Sequence, residues 1–456
     1  MHDDPLGLNR PESQSISEAW RLPEQEPTNL IALWPDAHAP TQPEIVAALE
    51  NHWDHFELLE EIDADDPNIP WTIIVNAPPL HQPAVMWCEP ARKLSPGELD
   101  DPRAEACPWS IGVESLLDHD DPLESFRKLA CFLAAPFEDI PGILDVNTTG
   151  WIQRSRIVEQ FLPEKNVPPT DVLWIIHAVS ANDDDNCNRG TWLHTHGMWR
   201  CGRPELEILQ VERSLISAAG QLLNDIAERI IDDPLPEPGE SFLVGKNLSV
   251  TLMPWQDVAS HLADGTPGNM TDRNQDDSGT HLGVRAVICA DLPHDEPRNE
   301  WVWPKDAIER LENDEAVIYR STRATRRSAM QAQYTWGELT SAFLKLQPYL
   351  PSQLDDPLAM VLLKVGYSYE ADDSSELGAE HMWFEALRFE GDRVEGKLLN
   401  EPKFITSVKK DDVCWIEREQ VSDWEVQTIE GQFRPDNILA MWQAVDAVTN
   451  NQESES

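Results

Sequence analysis

The sequence predicts an α+β protein of several domains, with mostly antiparallel sheets, covering helices and a small β-rich C-terminal domain. Three observations predict it. At 456 residues the chain exceeds what one hydrophobic core ordinarily organises. Its 41% apolar and 26% charged residues are enough to pack cores and too many for global disorder. Short apolar runs of strand length, separated by Asp/Pro/Gly clusters, outnumber the helical stripes.

A first unit is expected over residues 28–95. Leu30–Trp34 reads as a strand, and Thr41 and Glu44 then have capping-box spacing ahead of an apolar stripe at Ile45, Ala48 and Leu49. Phe56–Ile62, Trp71–Asn76 and Ala84–Cys88 follow as strands divided by turn clusters. Residues 95–108 read as a linker, and a central α+β unit is expected over 105–295. Its strands are Trp109–Leu117, Ile143–Thr148, Val172–Val179 and the stretch around Thr191–Leu209. Asp121-Pro122 starts one helix, with Phe126, Leu129, Ala130 and Leu133 on one face. Arg213–Ile231 forms another, with Leu215, Ala219, Leu222, Ile226 and Ile230 aligned. DDPLPEPGES and GTPGNMTDRNQDDSG are breaks, the second long enough to move. Residues 300–350 read as a helical connector. Residues 354–448 read as a β-rich unit able to fold alone, closed by a helix over Asn437–Val448.

Composition narrows the function classes. The formal net charge of −47, from 82 acidic and 35 basic side chains, repels nucleic acid and anionic membrane. It suits either a partner of opposite charge or simply a well-solvated surface, the acidic residues being spread along the chain. The first residues lack the basic and apolar regions of a secretory signal, and no apolar run reaches membrane-spanning length, so a cytoplasmic location is expected. Seven scattered cysteines, several inside apolar strands and none in a C-x-x-C pair, fit reduced thiols. Gly239–Lys246 misses the phosphate-loop spacing by one residue, and Asn247 stands where a hydroxyl is needed, so no nucleotide cofactor is indicated.

Two stretches carry possible chemistry. In TWLHTHGMWRCGRPELEIL, residues 191–209, His194 and His196 project from one face if the segment is extended. The upstream run DVLWIIHAV, if paired as a hairpin, brings His177 beside His194, because opposite residues then sum to about 371 in number. Three imidazoles on one face, with Asp183–Asp185 or Cys187 in the loop, can hold a transition metal. The plainer reading is three hydrogen-bonded histidines in a half-buried sheet, with Gly197 at a bulge or close approach. In YRSTRATRRSAMQ, Arg320, Arg323 and Arg327 share a helical face with Arg326 beside it. They can bind an anion, or clamp the chain's own carboxylates, which the acidic surroundings favour. Eighteen tryptophans spread over strands and helices read as core.

Near the C-terminus Glu380, His381 and Trp383, then Gly396, Asn400 and Pro402, then Val421, Asp423 and Trp424 occur in a recognisable order. This order resembles the YegJ-like bacterial domain of unknown function 2314 over roughly 90 residues. Lys410-Asp411-Asp412 departs from it where a glycine is usual. The upstream LWP and HTHG-x-x-R-x-G-x-P-E-L-E segments resemble the uncharacterised family of domain of unknown function 4026. The resemblance implies a bacterial cytoplasmic protein and transfers no catalytic residue. Two functional expectations follow: a non-enzymatic binding or regulatory protein, immunity-like, acting on a protein partner; and a metal-dependent enzyme centred on His194 and His196.

Overall fold

The computed structural model describes residues 18–63, 66–137, 139–163, 166–180, 190–245, 248–274, 280–291, 303–313, 322–351, 357–370 and 377–453. They form three sheets, nearly all antiparallel, with helices on their faces.

The first sheet has seven strands. β1 (Thr28–Trp34) is followed by helix α1 (Gln42–His52), whose start is fixed as the sequence predicts: the backbone N–H and hydroxyl of Thr41 both donate to the Glu44 carboxylate, at 2.8 and 2.9 Å. Next come β2 (Glu57–Ile62), β3 (Thr72–Asn76), β4 (Ala84–Pro90) and β5 (Trp109–Ser115). α2 (Pro122–Ala134) is capped by Asp121, which accepts from the N–H of Glu124, and β6 (Gly142–Asp145) and β7 (Gly150–Gln153) close the sheet. The order is β2-β3-β4-β5-β1-β6-β7. The break expected between residues 95 and 105 therefore does not separate two sheets, since β5 lies beyond it and pairs with both β4 and β1. The cause is local. Gly112 stands opposite Trp87, and a Cβ at Gly112 would lie 2.1 Å from that indole, so the bare glycine admits the ring. A helical turn, α3 (Arg154–Arg156), then leads into a π-type turn over Ile157–Phe161.

The second sheet contains β8 (Ile175–Ser180), β9 (Thr191–His196), β10 (Glu205–Val211), β11 (Ser241–Gly245), β12 (Leu248–Pro254) and β13 (Arg285–Ala290). Its order is β11-β12-β13-β10-β9-β8, with β10 and β13 parallel. α4 (Ile216–Asp232) covers one face with Leu222, Ile226 and Ile230, in a core continuous with that of the first sheet. The two short helices α5 (Trp255–Ala259) and α6 (Met270–Asn274) belong to this unit, α5 packing beside β12 and β13. The expected strand over Val172–Val179 begins only at Ile175, because Thr170–Leu173 is a 3-10 turn. The break containing GTPGNMTDRN includes α6, since the Asn269 side chain accepts from the N–H groups of Thr271 and Asp272 and nucleates a turn; residues 275–279 lie outside the described residues.

α7 (Lys305–Glu312), α8 (Thr322–Tyr334) and α9 (Trp336–Leu346) occupy the expected connector but serve different cores. Ala307, Ile308 and Leu311 of α7 join the first two sheets, whereas Ala332, Trp336, Leu339 and Phe343 join the third. The third sheet contains β14 (Ala359–Glu370), β15 (Leu377–Glu390), β16 (Arg393–Leu398), β17 (Val413–Glu417), β18 (Val421–Thr428) and β19 (Gly431–Phe433), in the order β17-β16-β15-β14-β18-β19. α10 (Ile438–Glu453) packs beside α9 and ends the unit. Among the described residues no helix is long and apolar enough to cross a membrane.

Candidate metal centre

β8 and β9 pair antiparallel with Ile175 opposite His196 and His177 opposite His194. β9 runs without a bulge through Thr195, so His194 and His196 share a face, and His177 joins them from the neighbouring strand. The three imidazoles offer ligand nitrogens that all lie within 4.8 Å of one another. Ring centroids are 4.6 Å apart for His177 and His196, 4.9 Å for His194 and His196, and 5.6 Å for His177 and His194. Accessibility is graded across the group: His194 is buried, His196 half-buried and His177 exposed. The Nδ1 atom of His194 is buried and has no hydrogen-bond partner among the described residues.

On the next strand Glu207 stands opposite His194. Its carboxylate is fully buried and bound by two equally buried guanidinium groups, Arg273 of α6 and Arg285 of β13. Burial alone would raise the Glu207 pKa, but Arg273 and Arg285 outweigh it and hold the group ionised, below the usual carboxylate range. Arg273 is packed between the Trp192 and Trp255 rings, 4.8 and 4.6 Å from their centroids. Arg285 also donates to the carbonyl of Thr195, which brings its charge beside the histidines. Burial first, and then the Arg285 charge, push the His194 and His196 pKa values down, that of His196 to about 3. These two imidazoles are neutral at physiological pH, the form that binds metal.

The turn after β9 is fixed by Glu205, which accepts from the Thr195 hydroxyl at 2.5 Å and from the N–H groups of Gly197 and Met198 at 2.8 and 3.0 Å. Gly197 has φ +115°, and a Cβ there would lie 2.3 Å from the Leu173 carbonyl oxygen; it is the close-approach position the sequence suggests. Below the turn, Arg200 is wholly buried and makes a two-pronged pair with Asp145, at 2.8 Å for both bonds, tying this turn to the first sheet.

A fourth imidazole, His281, lies 5.0 Å from His194 and 5.6 Å from His196 between ring centroids, against Trp192. Sequence reasoning did not single it out, because a histidine in a turn-rich segment has no periodicity to mark its neighbours. Glu207 and Arg285 were visible only as charges interrupting apolar strands. Asp183–Asp185 and Cys187 lie outside the described residues.

Of the arginine group, Arg327 makes a two-pronged pair with the buried Asp232 of α4, at 2.7 and 2.9 Å, and Arg323 reaches the Asp120 carbonyl. Arg320 lies outside the described residues. In the C-terminal unit the quoted residues are fastening points. Glu380 accepts from the backbone N–H groups of Lys403, Phe404 and Ile405 at 2.7, 2.8 and 3.1 Å, and Asn400 accepts from that of Trp383 at 2.6 Å. His381 bonds Ser422 at 2.9 Å, Asp423 accepts from the N–H of Trp424, and the Trp424 indole donates to Thr335. Asp411, where a glycine is usual, takes φ +69° and pairs with Lys397 at 2.9 Å, so the turn keeps its left-handed backbone without glycine.

Neither the search of curated proteins nor the search of solved structures gave a match. Two family models match parts of the chain. Residues 176–285, which hold all four histidines, match the C-terminal part of a protein of unknown function, DUF4026. Residues 329–452 match DUF2314, described as an uncharacterized protein conserved in bacteria.

Proposed function

We propose that this chain is a transition-metal-binding protein, its ion held by His177, His194 and His196. The observation that carries the reading is the buried Nδ1 of His194, unbonded among the described residues, within a group of three imidazoles. A buried ring nitrogen without a partner is costly, and a metal ion satisfies it. Tetrahedral zinc at about 2.0–2.1 Å from each nitrogen needs ligand atoms about 3.4 Å apart. A largest separation of 4.8 Å therefore calls for a small closure, which the exposed His177 can supply by side-chain rotation.

The carboxylate opposite His194 is Glu207, which two guanidinium groups hold, so it is not placed to act as a general base. The geometry thus supports metal binding in a binding or regulatory protein more than hydrolysis. The test is the metal content of untagged protein, by plasma mass spectrometry after incubation with zinc and desalting. The expected result is about one equivalent per chain, lost in His194→Ala and in His196→Ala. An unaltered chain that retained no more zinc than His194→Ala would overturn the reading.

A further inference from the structure

The first sheet has one covered face and one open face. Helices α1 and α2 lie on the side of Ile73, Val75, Met86 and Val113, in the main core. Along β1, β3 and β4 burial alternates, so the intervening residues point the other way and are partly exposed. An antiparallel sheet with a solvated face ordinarily carries polar side chains there. Here the partly exposed positions include Ile31, Ile74, Val85 and Trp87, and none of them packs into a core of the described residues. The registers join them across the strands: Ile62 is opposite Thr72, Thr72 opposite Trp87, Trp87 opposite Gly112 and Gly112 opposite Ile31. Trp87 lies over the bare Gly112, and Ile74 and Val85 form a second pair beside that row. Ile62 is 39% exposed on the outer strand. At the opposite end Leu33 and Trp151 are closed off by the segment carrying Leu94, Leu99 and Ala104.

The charge of this face is one-sided. The strands of the sheet hold no Lys or Arg. Glu60 stands opposite Ile74 and Glu114 opposite Val85, so both flank the apolar row. Glu57 lies further along β2, and Glu89 is two residues from Trp87 on the same side of β4. Among the described residues none of these four carboxylates forms an ion pair. Four uncompensated carboxylates, in a chain whose net charge is −47, disfavour an anionic occupant and favour a cationic one. From Ile62 to Ile31 the row crosses five strands. At about 4.8 Å per spacing that is about 19 Å, the length of about thirteen residues of α-helix. Covering it takes an apolar stripe of that length with cations along its flanks.

We propose that this face binds a basic amphipathic helix of a partner protein. The probe is a labelled peptide of about sixteen residues, one turn more than the row needs, with a leucine stripe and lysine flanks. It is titrated into the full chain by fluorescence anisotropy at about 0.15 M salt. Two control peptides separate the face from bulk charge: one has serine in place of leucine, the other glutamate in place of lysine. Saturable binding of one basic amphipathic peptide per chain is expected, with each control weaker by about tenfold or more. Ile74→Lys combined with Val85→Lys should weaken the peptide by a similar factor. Leu344→Lys combined with Ile429→Lys, the same charge change at side chains 61% and 62% exposed in the third unit, should leave it unchanged. On the unaltered chain a benzophenone in the leucine stripe should crosslink to β3, β4 or β5, located by peptide mass spectrometry. Crosslinks confined to other parts of the chain, a serine control that binds as well, or equal losses in the two double variants overturn the proposal. So does a chain that is dimeric on its own and becomes monomeric with Ile74→Lys and Val85→Lys, since a second copy then takes the face.

Discussion

A carboxylate with no access to water has to be compensated where it stands, and Glu207 is compensated twice, by Arg273 and Arg285. Removing its charge would take from two buried guanidinium groups the carboxylate they share, whereas removing the whole triad would leave no such imbalance. Glu207→Gln should therefore cost about 3–5 kcal/mol of stability, measured by urea unfolding with tryptophan fluorescence, which Trp192 and Trp255 at the site make sensitive. A loss below about 1 kcal/mol would show that the pair is relieved in some other way. His119 gives a residue-scale prediction of a different kind. Its ring bonds the side chain of Gln25 at 2.9 Å, and a Cβ at Gly202 would meet it at 2.4 Å. Burial, and then the Arg203 charge, lower its pKa from the ordinary 6.5. The unfolded chain thus binds a proton here at a higher pH than the folded one. The neutral ring's contribution is fully present above about pH 6.5 and is lost as pH falls through the unfolded value toward the depressed folded one. His119→Gln should accordingly reduce the loss of urea midpoint between about pH 7.5 and about pH 5.5; an unchanged difference would contradict it.

At the scale of elements, α9 shows why a boundary drawn from strand signals alone falls too late. Leu339, Phe343 and Leu346 read as an ordinary helical stripe, and nothing in their spacing says which sheet they cover. In the fold they lie in the core of the third sheet, together with Ala332 and Trp336. A segment comprising residues 322–453 should fold alone, with cooperative thermal unfolding by circular dichroism. A segment starting at 354 leaves Val361, Leu363 and Phe384 without that cover and should not. If both unfold with the same sharp transition, α9 is dispensable and the assignment of its core is wrong. The hairpin of β8 and β9 is the opposite case. Strand periodicity alone places His194 and His196 together, and the sum rule of an antiparallel pair places His177 opposite His194. His281 and Arg273 escaped notice because both come from outside the β8–β9–β10 core of the sheet, and tertiary packing leaves no periodic trace in sequence.

Across the whole molecule, the α+β class and the antiparallel sheets were legible from short apolar runs and turn clusters, since those are local signals. The joining of residues 28–95 to β5–β7 in one sheet was not, because strand partnership between distant segments depends on shape, as at Trp87 and Gly112. Long-range joints recur at the other end of the chain. Gln160, in the π-type turn after β7, donates to the Asp436 carbonyl at 2.6 Å, and Glu159 accepts from the N–H of Leu439 at 2.8 Å. Gln331 of α8 donates to the Pro435 carbonyl at 3.2 Å beside them. During synthesis the turn at Glu159 and Gln160 leaves the ribosome well over two hundred residues before the segment that completes it. At about 5–20 residues per second that interval lasts on the order of ten seconds or more. Throughout it this seam stays open on the nascent chain, the stretch where a chaperone or a second nascent copy has longest access.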